Sequence, residues 1–489
     1  MPMQFDQYSP QHAARLRARF AADDWQAAVA DGAVDAARRG LRTPPQIANV
    51  FSLPVEQLKA INEARVRALI EAGERDEERL LAALGTWPEH WPEGLPVRLS
   101  FLGLNLTLAC DMAPRCVYCN QRPVDECMTV ADWRRVLAGL TPGAPDQGVY
   151  VYFTGGEPLL LGEDLWGPQG LIRAAGDAGA ACNVNTNGLA LTPAAALGLV
   201  SSGTGRLHLS LDTHRPDVGD AIHQRAGRWE QVVRGLHNLQ IAKALLAAAH
   251  PVIHLNCVLT RLNCGRDESR RYADDFPDFL RFVLSMKPLA EDGLSPDLDF
   301  HVIPVGGDQN CDLRLTAAQY ERFFSETWAA AEAVWEEYRD SRNVPADKRK
   351  DLAGQMPFMS PYHRVAQRGE LAAWAERAAA GRPGALAISP RCYVAATQGF
   401  VLPDGHQYWC GGHATSRPEP VGNVRESSVA ENIRAGLGQL QRLPSEFCRT
   451  CPGATLAINQ TVEQRLRQAI GEWLNPGTAG EAAEAPPVD

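Results

Sequence analysis

Between residues 97 and 303 the chain alternates short β-branched or apolar runs with helical stretches, and this rhythm constrains the fold more than any other feature. The strand-like runs fall at 97–106, 149–153, 182–185, 206–211, 252–259 and 298–303. Between the fourth and fifth, Trp229, Val232, Val233, Leu236 and Leu239 share one helical face. Strands that alternate with helices specify parallel βαβ units, and six in about 210 residues predict an α/β sheet or a partial barrel.

The flanks read differently. Residues 1–95 are expected to be a helical extension, with Leu58, Ile61, Val66, Leu69 and Ile70 at roughly helical spacing, ending where Trp-Pro-Glu-His-Trp-Pro at 87–92 breaks the pattern. No alternating strands of the winged-helix kind are expected there. The α/β region spans 96–310. Over 311–385 a helix at about 317–339 carries Phe323, Phe324, Trp328 and Trp335, read as packing residues, and 340–385 reads as an irregular linker or cap. Residues 386–455 hold four cysteines among short strands and turns, a small separate module. The last part, 456–489, is expected to be a helix followed by a disordered Pro-, Gly-, Ala- and Glu-rich tail.

Charge and targeting exclude some partners. With 48 Lys and Arg against 58 Asp and Glu the net charge is -10, and no basic run exceeds Lys348-Arg349-Lys350, which argues against nucleic acid or an anionic membrane. The N-terminus has no apolar signal region, and the stretch 244–260 is interrupted by His250, Pro251 and His254. A cytoplasmic location is expected. Thiols stay reduced there, so clustered cysteines bind metal more often than each other.

There are 12 cysteines. Cys110, Cys116 and Cys119 follow the first strand. Three thiolates in one loop can hold three corners of a four-iron cluster and leave one iron open; the alternatives are a zinc knuckle missing a ligand, or coincidence. Gly155-Gly156-Glu157-Pro158 then follows the second strand, Asn185-Thr186-Asn187-Gly188 closes the third, and Ser210-Leu211-Asp212 closes the fourth. All lie at C-terminal strand ends, the face on which parallel α/β barrels build active sites. Glycines there let backbone approach a ligand, and Glu157 can accept hydrogen bonds from an ammonium group.

Over about 99–304 this set of motifs resembles the radical S-adenosylmethionine (SAM) enzymes. The resemblance implies a partial (β/α)6 barrel and a [4Fe-4S] cluster whose open iron chelates SAM. It places Tyr118 along the adenine, Gly155, Gly156 and Glu157 at the methionine amino group, Asn187 at the cofactor, and Ser210 and Arg225 at the carboxylate. It also implies reductive cleavage of SAM to a 5′-deoxyadenosyl radical, and an electron donor such as ferredoxin or flavodoxin. The chain departs from the family in having five residues between Cys110 and Cys116 where three are usual. Two extra residues, one of them Pro114, can bulge out without loss of a ligand.

Cys392, Gly405, Cys410 and the pair Cys448 and Cys451 form a second set. Four thiolates close a coordination shell, and taken alone the set suits structural zinc as well as iron-sulfur. The pattern resembles the Twitch module, a shortened relative of SPASM, which implies one auxiliary [4Fe-4S] cluster and accompanies enzymes acting on peptides or on small alcohols and sugars. Five cysteines remain. Cys182 and Cys257 read as core residues, Cys127 has no reading, and Cys264 and Cys311, after the fifth and sixth strands, are candidate hydrogen-atom donors to a substrate radical. The histidines, His214, His223, His301 and His413 among them, carry no assignment. Three functions follow: a radical SAM maturase of a peptide or protein side chain, a radical SAM dehydrogenase or epimerase of a small sugar or alcohol, or a non-enzymatic zinc scaffold.

Overall fold

The computed structural model describes residues 5–47, 52–124, 126–140, 148–264, 275–288, 297–305, 308–341, 358–359, 369–381, 391–445, 448 and 453–476. Six strands form its centre: β1 (Phe101–Thr107), β2 (Tyr150–Gly155), β3 (Ala181–Thr186), β4 (Thr204–Ser210), β5 (Val252–Leu259) and β6 (Asp299–Pro304). They lie side by side in chain order and every pairing is parallel. A short β7 (Phe358–Met359) adds in parallel to β6, and among the described residues the ends of the sheet do not pair with each other. The centre is thus a partial (β/α)6 barrel.

Alternation along the strands separates two faces. Val151, Phe153, Val184, Leu207, Leu209, Ile253 and Leu255 are buried in the main apolar core. The positions between them are polar: Tyr150, Tyr152, Asn183, Asn185, Arg206, His208, His254 and Asn256. On that second face the rings of Phe101, Tyr152, His208 and His254 follow one another at centroid separations of 6.1, 5.3 and 4.9 Å, and His254 pairs with Asp299. The core of a closed barrel is filled by branched apolar side chains; this open one has a polar inner face.

Two expectations about organisation change. The C-terminal cysteine region does not stand apart, because β8 (Gln398–Val401) pairs in parallel with the free edge of β1, and β9 (His406–Tyr408) and β10 (Gly422–Asn423) continue the sheet by antiparallel pairing. Gly103 makes this possible: a Cβ there would lie 2.2 Å from the ring of Phe400, its neighbour on β8. Secondly, the region read as an irregular linker contains a helix, Leu371–Ala379, whose Trp374 packs edge-on against Tyr320 and Phe324 at 5.3 Å each. The aromatic helix before it runs as Ala317–Arg322, one wide turn at Phe323–Thr327, and Trp328–Ser341. Residues 342–357, 360–368 and 382–390, and the expected tail from 477, lie outside the described residues.

The N-terminal helices are knitted onto the barrel. Trp25, fully buried, donates its indole N–H to Asn238 Oδ1 at 2.9 Å, and Arg19 Nε donates to the same oxygen at 2.9 Å. Asn238 lies on the helix Arg228–Leu246, which also carries Gln240, 2.8 Å from His12 Nε2. The C-terminal helix Gly453–Leu474 meets this end of the chain, where Arg467 Nη1 donates to Glu78 Oε1 at 2.6 Å. One apolar core runs from Phe5 to Ile470.

This seam yields two predictions. Trp25→Ala should cost about 3–5 kcal/mol, the usual price of removing a buried Trp, read by urea unfolding; a loss under about 1 kcal/mol would show the seam to be unimportant. His237, beside His12, is pushed down to about 3, chiefly by burial and next by the His12 charge. The unfolded ring titrates near 6.5. The unfolded chain therefore binds the extra proton between those values, and stability present above about pH 6.5 is lost as pH falls toward about 3. His237→Gln should flatten the fall of the urea midpoint below pH 6.5; an unchanged slope would refute this.

Candidate active site

The three cysteines of the first set lie in the loop leaving β1, each half-buried. Ala113, Pro114 and Arg115 between them are exposed, so the longer spacing is taken up at the surface. The loop is stitched to the end of β2 by backbone: Gly156 N–H donates to Thr107 O at 2.6 Å and Glu157 N–H to Ala109 O at 2.7 Å. A Cβ on Gly156 would sit 2.1 Å from Ala109 O. Here glycine is required because β2 must approach the start of the cysteine loop.

The expectation for Glu157 is corrected. Its carboxylate is fully buried. Oε1 accepts from Leu159 N–H at 2.9 Å and from the Thr186 hydroxyl at 2.8 Å, and Oε2 accepts from Asn187 N–H at 2.7 Å. It is a clamp between the β2 and β3 ends, and no part of it is open to a ligand ammonium. Burial pushes its pKa up to about 7, against the pull of those donors.

Asn187, positioned by that clamp, turns its side chain to the loop, donating Nδ2 to Asp111 Oδ1 at 2.6 Å and lying 3.7 Å from Cys110 Sγ. Burial raises the Cys110 thiol, opposed by the Met112 N–H. Asp212, just past β4, is buried and gathers donors from three elements: Tyr118 OH at 3.1 Å, His223 Nε2 at 2.8 Å and Val258 N–H at 2.7 Å. A carboxylate only accepts, so Nε2 carries the hydrogen and Nδ1 faces Cys116 Sγ at 3.0 Å as an acceptor for its S–H. Burial, and then the Arg228 charge, lower His223 and favour the neutral ring. Burial also pushes Cys116 up to about 12 despite Arg228.

The two arginines of this region part company. Arg225, half-buried, donates Nη1 to Asp111 O at 2.8 Å. Arg228 is fully buried and donates Nη2 to Ser210 O at 2.7 Å and Asn187 O at 3.1 Å, while its Nε and Nη1 have no hydrogen-bond partner among the described residues. Sequence reading missed Arg228, His223 and the polar inner face. The inner face had a signal, a polar residue at every second position of β2 to β5.

Of the leftover cysteines, Cys182 and Cys257 are buried and Cys127 is exposed. Cys264 is 5% exposed, and its burial raises the thiol well above the usual range. A hydrogen donor needs access to its substrate, and 5% exposure gives Cys264 little of it. Cys311 is exposed, with its Sγ 3.8 Å from Asp312 Oδ1.

In the second set, Cys392, Cys410 and Cys448 line one cavity with His413, Trp409 and Leu443; Cys451 lies outside the described residues. Burial pushes the Cys392 thiol up to about 12 and the Cys410 thiol up to about 11. Cys448 Sγ accepts from Ser445 N–H at 3.3 Å. Among the described residues no three His, Cys, Asp or Glu side chains gather closely enough to hold a single metal ion. Thiols gathered around one cavity are a donor set that an iron-sulfur cluster can use, as structural zinc can. The first set, with thiols as donors and a buried guanidinium beside them, fits the same chemistry.

Residues 104–244 match the family model described as the Radical SAM superfamily. The chain carries a radical SAM domain. Mycofactocin maturase MftC of Mycobacterium ulcerans (strain Agy99) is 28% identical over 207 residues, which span 40% of this chain and 49% of that protein. GTP 3',8-cyclase of Heliobacterium modesticaldum (strain ATCC 51547 / Ice1) is 30% identical over 207 residues, 40% of this chain and 57% of that protein. The chain thus spans about half the length of these curated relatives. A crystal structure of Streptococcus suis SuiB bound to precursor peptide SuiA aligns over 74% of this chain and 71% of that one, at 14% identity and a TM-score of 0.46.

Gly156→Ala tests the stitching of the loop. The added Cβ meets backbone that cannot yield, so the Cys110 loop should be displaced and about four irons lost after anaerobic reconstitution, one cluster's worth. Full iron with a native circular dichroism spectrum would overturn the assignment.

Proposed function

We propose that the chain is a radical SAM enzyme that abstracts hydrogen from a peptide or protein side chain. The observation that carries this is the convergence, at the C-terminal ends of parallel strands, of the three-cysteine loop with Asn187, Asp212 and Arg228. A four-iron cluster with bound SAM supplies one-electron cleavage of the sulfonium bond and the 5′-deoxyadenosyl radical that takes the hydrogen.

The chain's own residues prepare this site. Cys110, Cys116 and Cys119 are the proposed cluster ligands. Tyr118, its hydroxyl tied to Asp212, has a fixed ring to set against an adenine. Gly155, Gly156 and Asn187 offer backbone groups at the loop, whereas Glu157 only holds them in place. Ser210 and Arg225 are the proposed carboxylate contacts, with the buried charge of Arg228 behind them. The polar inner face from Tyr152 to Asp299 suits a substrate group that itself hydrogen-bonds.

The maturase reading draws support from the likeness to mycofactocin maturase MftC. The likeness to a GTP 3',8-cyclase keeps a small-metabolite substrate as the second reading. Cys392, Cys410, Cys448 and Cys451 are proposed to hold an auxiliary [4Fe-4S] cluster, and a ferredoxin or flavodoxin to deliver the electron. No helix among the described residues is long and apolar enough to cross a membrane; a cytoplasmic location is part of the proposal.

Anaerobic reconstitution should give about eight irons with matching sulfide, the sum of two four-iron clusters. The triple variant Cys110, Cys116, Cys119→Ala should then hold about four and make no 5′-deoxyadenosine from SAM and dithionite. Bound zinc without sulfide would sink the reading, as would 5′-deoxyadenosine production by the triple variant. Mass spectrometry of candidate peptides after incubation with SAM and reductant separates the two substrate classes.

A further inference from the structure

Both cysteine sets have nitrogen groups close to their sulfurs. In the barrel loop, Cys110 takes one backbone N–H, from Met112, and has Asn187 Nδ2 at 3.7 Å. Cys116 Sγ lies 3.0 Å from His223 Nδ1. Cys392, Cys410 and Cys448 line the second cavity. Cys448 takes a backbone N–H bond from Ser445, and His413 Nε2 lies 3.5 Å from its sulfur.

His413 is no surface side chain that happens to lie nearby. It is 6% exposed, lines the same cavity as the three thiols, and sits on the helix Gly411–Ser416 that begins directly after Cys410. A cluster-bound thiolate sulfur only accepts hydrogen bonds, so a nitrogen facing it must carry the hydrogen. The separation is that of an N–H to sulfur bond and is too short for two ligands on different irons of one cluster. Hydrogen bonds to cluster sulfurs stabilise the more negative, reduced state and raise the reduction potential.

We infer that His413 is a positioning residue that donates Nε2–H to the Cys448 sulfur and raises the potential of the auxiliary cluster. This rests on the two-cluster reading proposed above.

The test is an EPR-monitored redox titration of the reconstituted full-length protein, with iron and sulfide counted on the same samples. Wild type gives the reference potential of the auxiliary signal. His413→Phe should move it to lower potential and leave the barrel signal in place, and His413→Gln, which keeps an N–H donor, should recover part of the shift. About four irons in wild type, where two clusters need about eight, would remove the two-cluster reading itself. About eight irons with an unmoved auxiliary potential in His413→Phe would overturn the inference alone. Loss of the auxiliary iron in both variants would overturn it too, by showing His413 to be a ligand or a structural support.

Discussion

The site depends on one buried carboxylate. Asp212 has no water to solvate it, so its charge must be met by donors from the chain, and an unmet one would cost several kcal/mol. The donors come from separate elements: Tyr118 from the cysteine loop, His223 from the segment after β4, and the Val258 N–H from β5. Its backbone oxygen accepts in turn from Asn263 Nδ2 at 2.9 Å. Meeting that charge fixes the cysteine loop against β4 and β5. Remove the carboxylate and the Tyr118 ring and the His223 imidazole both lose the partner that orients them, although neither belongs to the strand that carries it.

Glu157 does the same on the other side of the loop, and the pair explains why a long, partly exposed loop can hold three thiols in place. Backbone bonds from Gly156 and Glu157 secure its start, the Glu157 clamp orients Asn187, and Asn187 reaches back to Asp111 beside Cys110. The two acids share a role, since both are buried and satisfied by donors within the chain. What they leave open is the edge between them, where Arg228 has charge and N–H groups to spare.

The parts that could be read in the sequence were those with a local signal. Six strands announced themselves through β-branched runs, and the cysteine spacing announced the loop. What depends on distant pairing carried no such signal. Nothing near Gly103 says that β8 will lie against it, so the C-terminal cysteine region read as separate when it extends the barrel sheet. Cys264 and Cys311 both follow a strand, yet one packs inward below Asp212 and the other faces solvent. Arg225 and Arg228 are equally basic, but Arg228 opens a long helix and is drawn under the strand ends, whereas Arg225 stays in the turn before it. Burial, which decides these cases, is a property of the assembled fold.

The sheet pairing also has a chemical consequence. Because β8 joins β1 directly, the strand that leads into the first cysteine loop is hydrogen-bonded to the strand that follows Cys392 and leads toward Cys410. The two cysteine sets are held on one continuous sheet instead of across a linker. A sheet ladder resists relative motion far better than a loop does, so the separation between the sets is set by the fold.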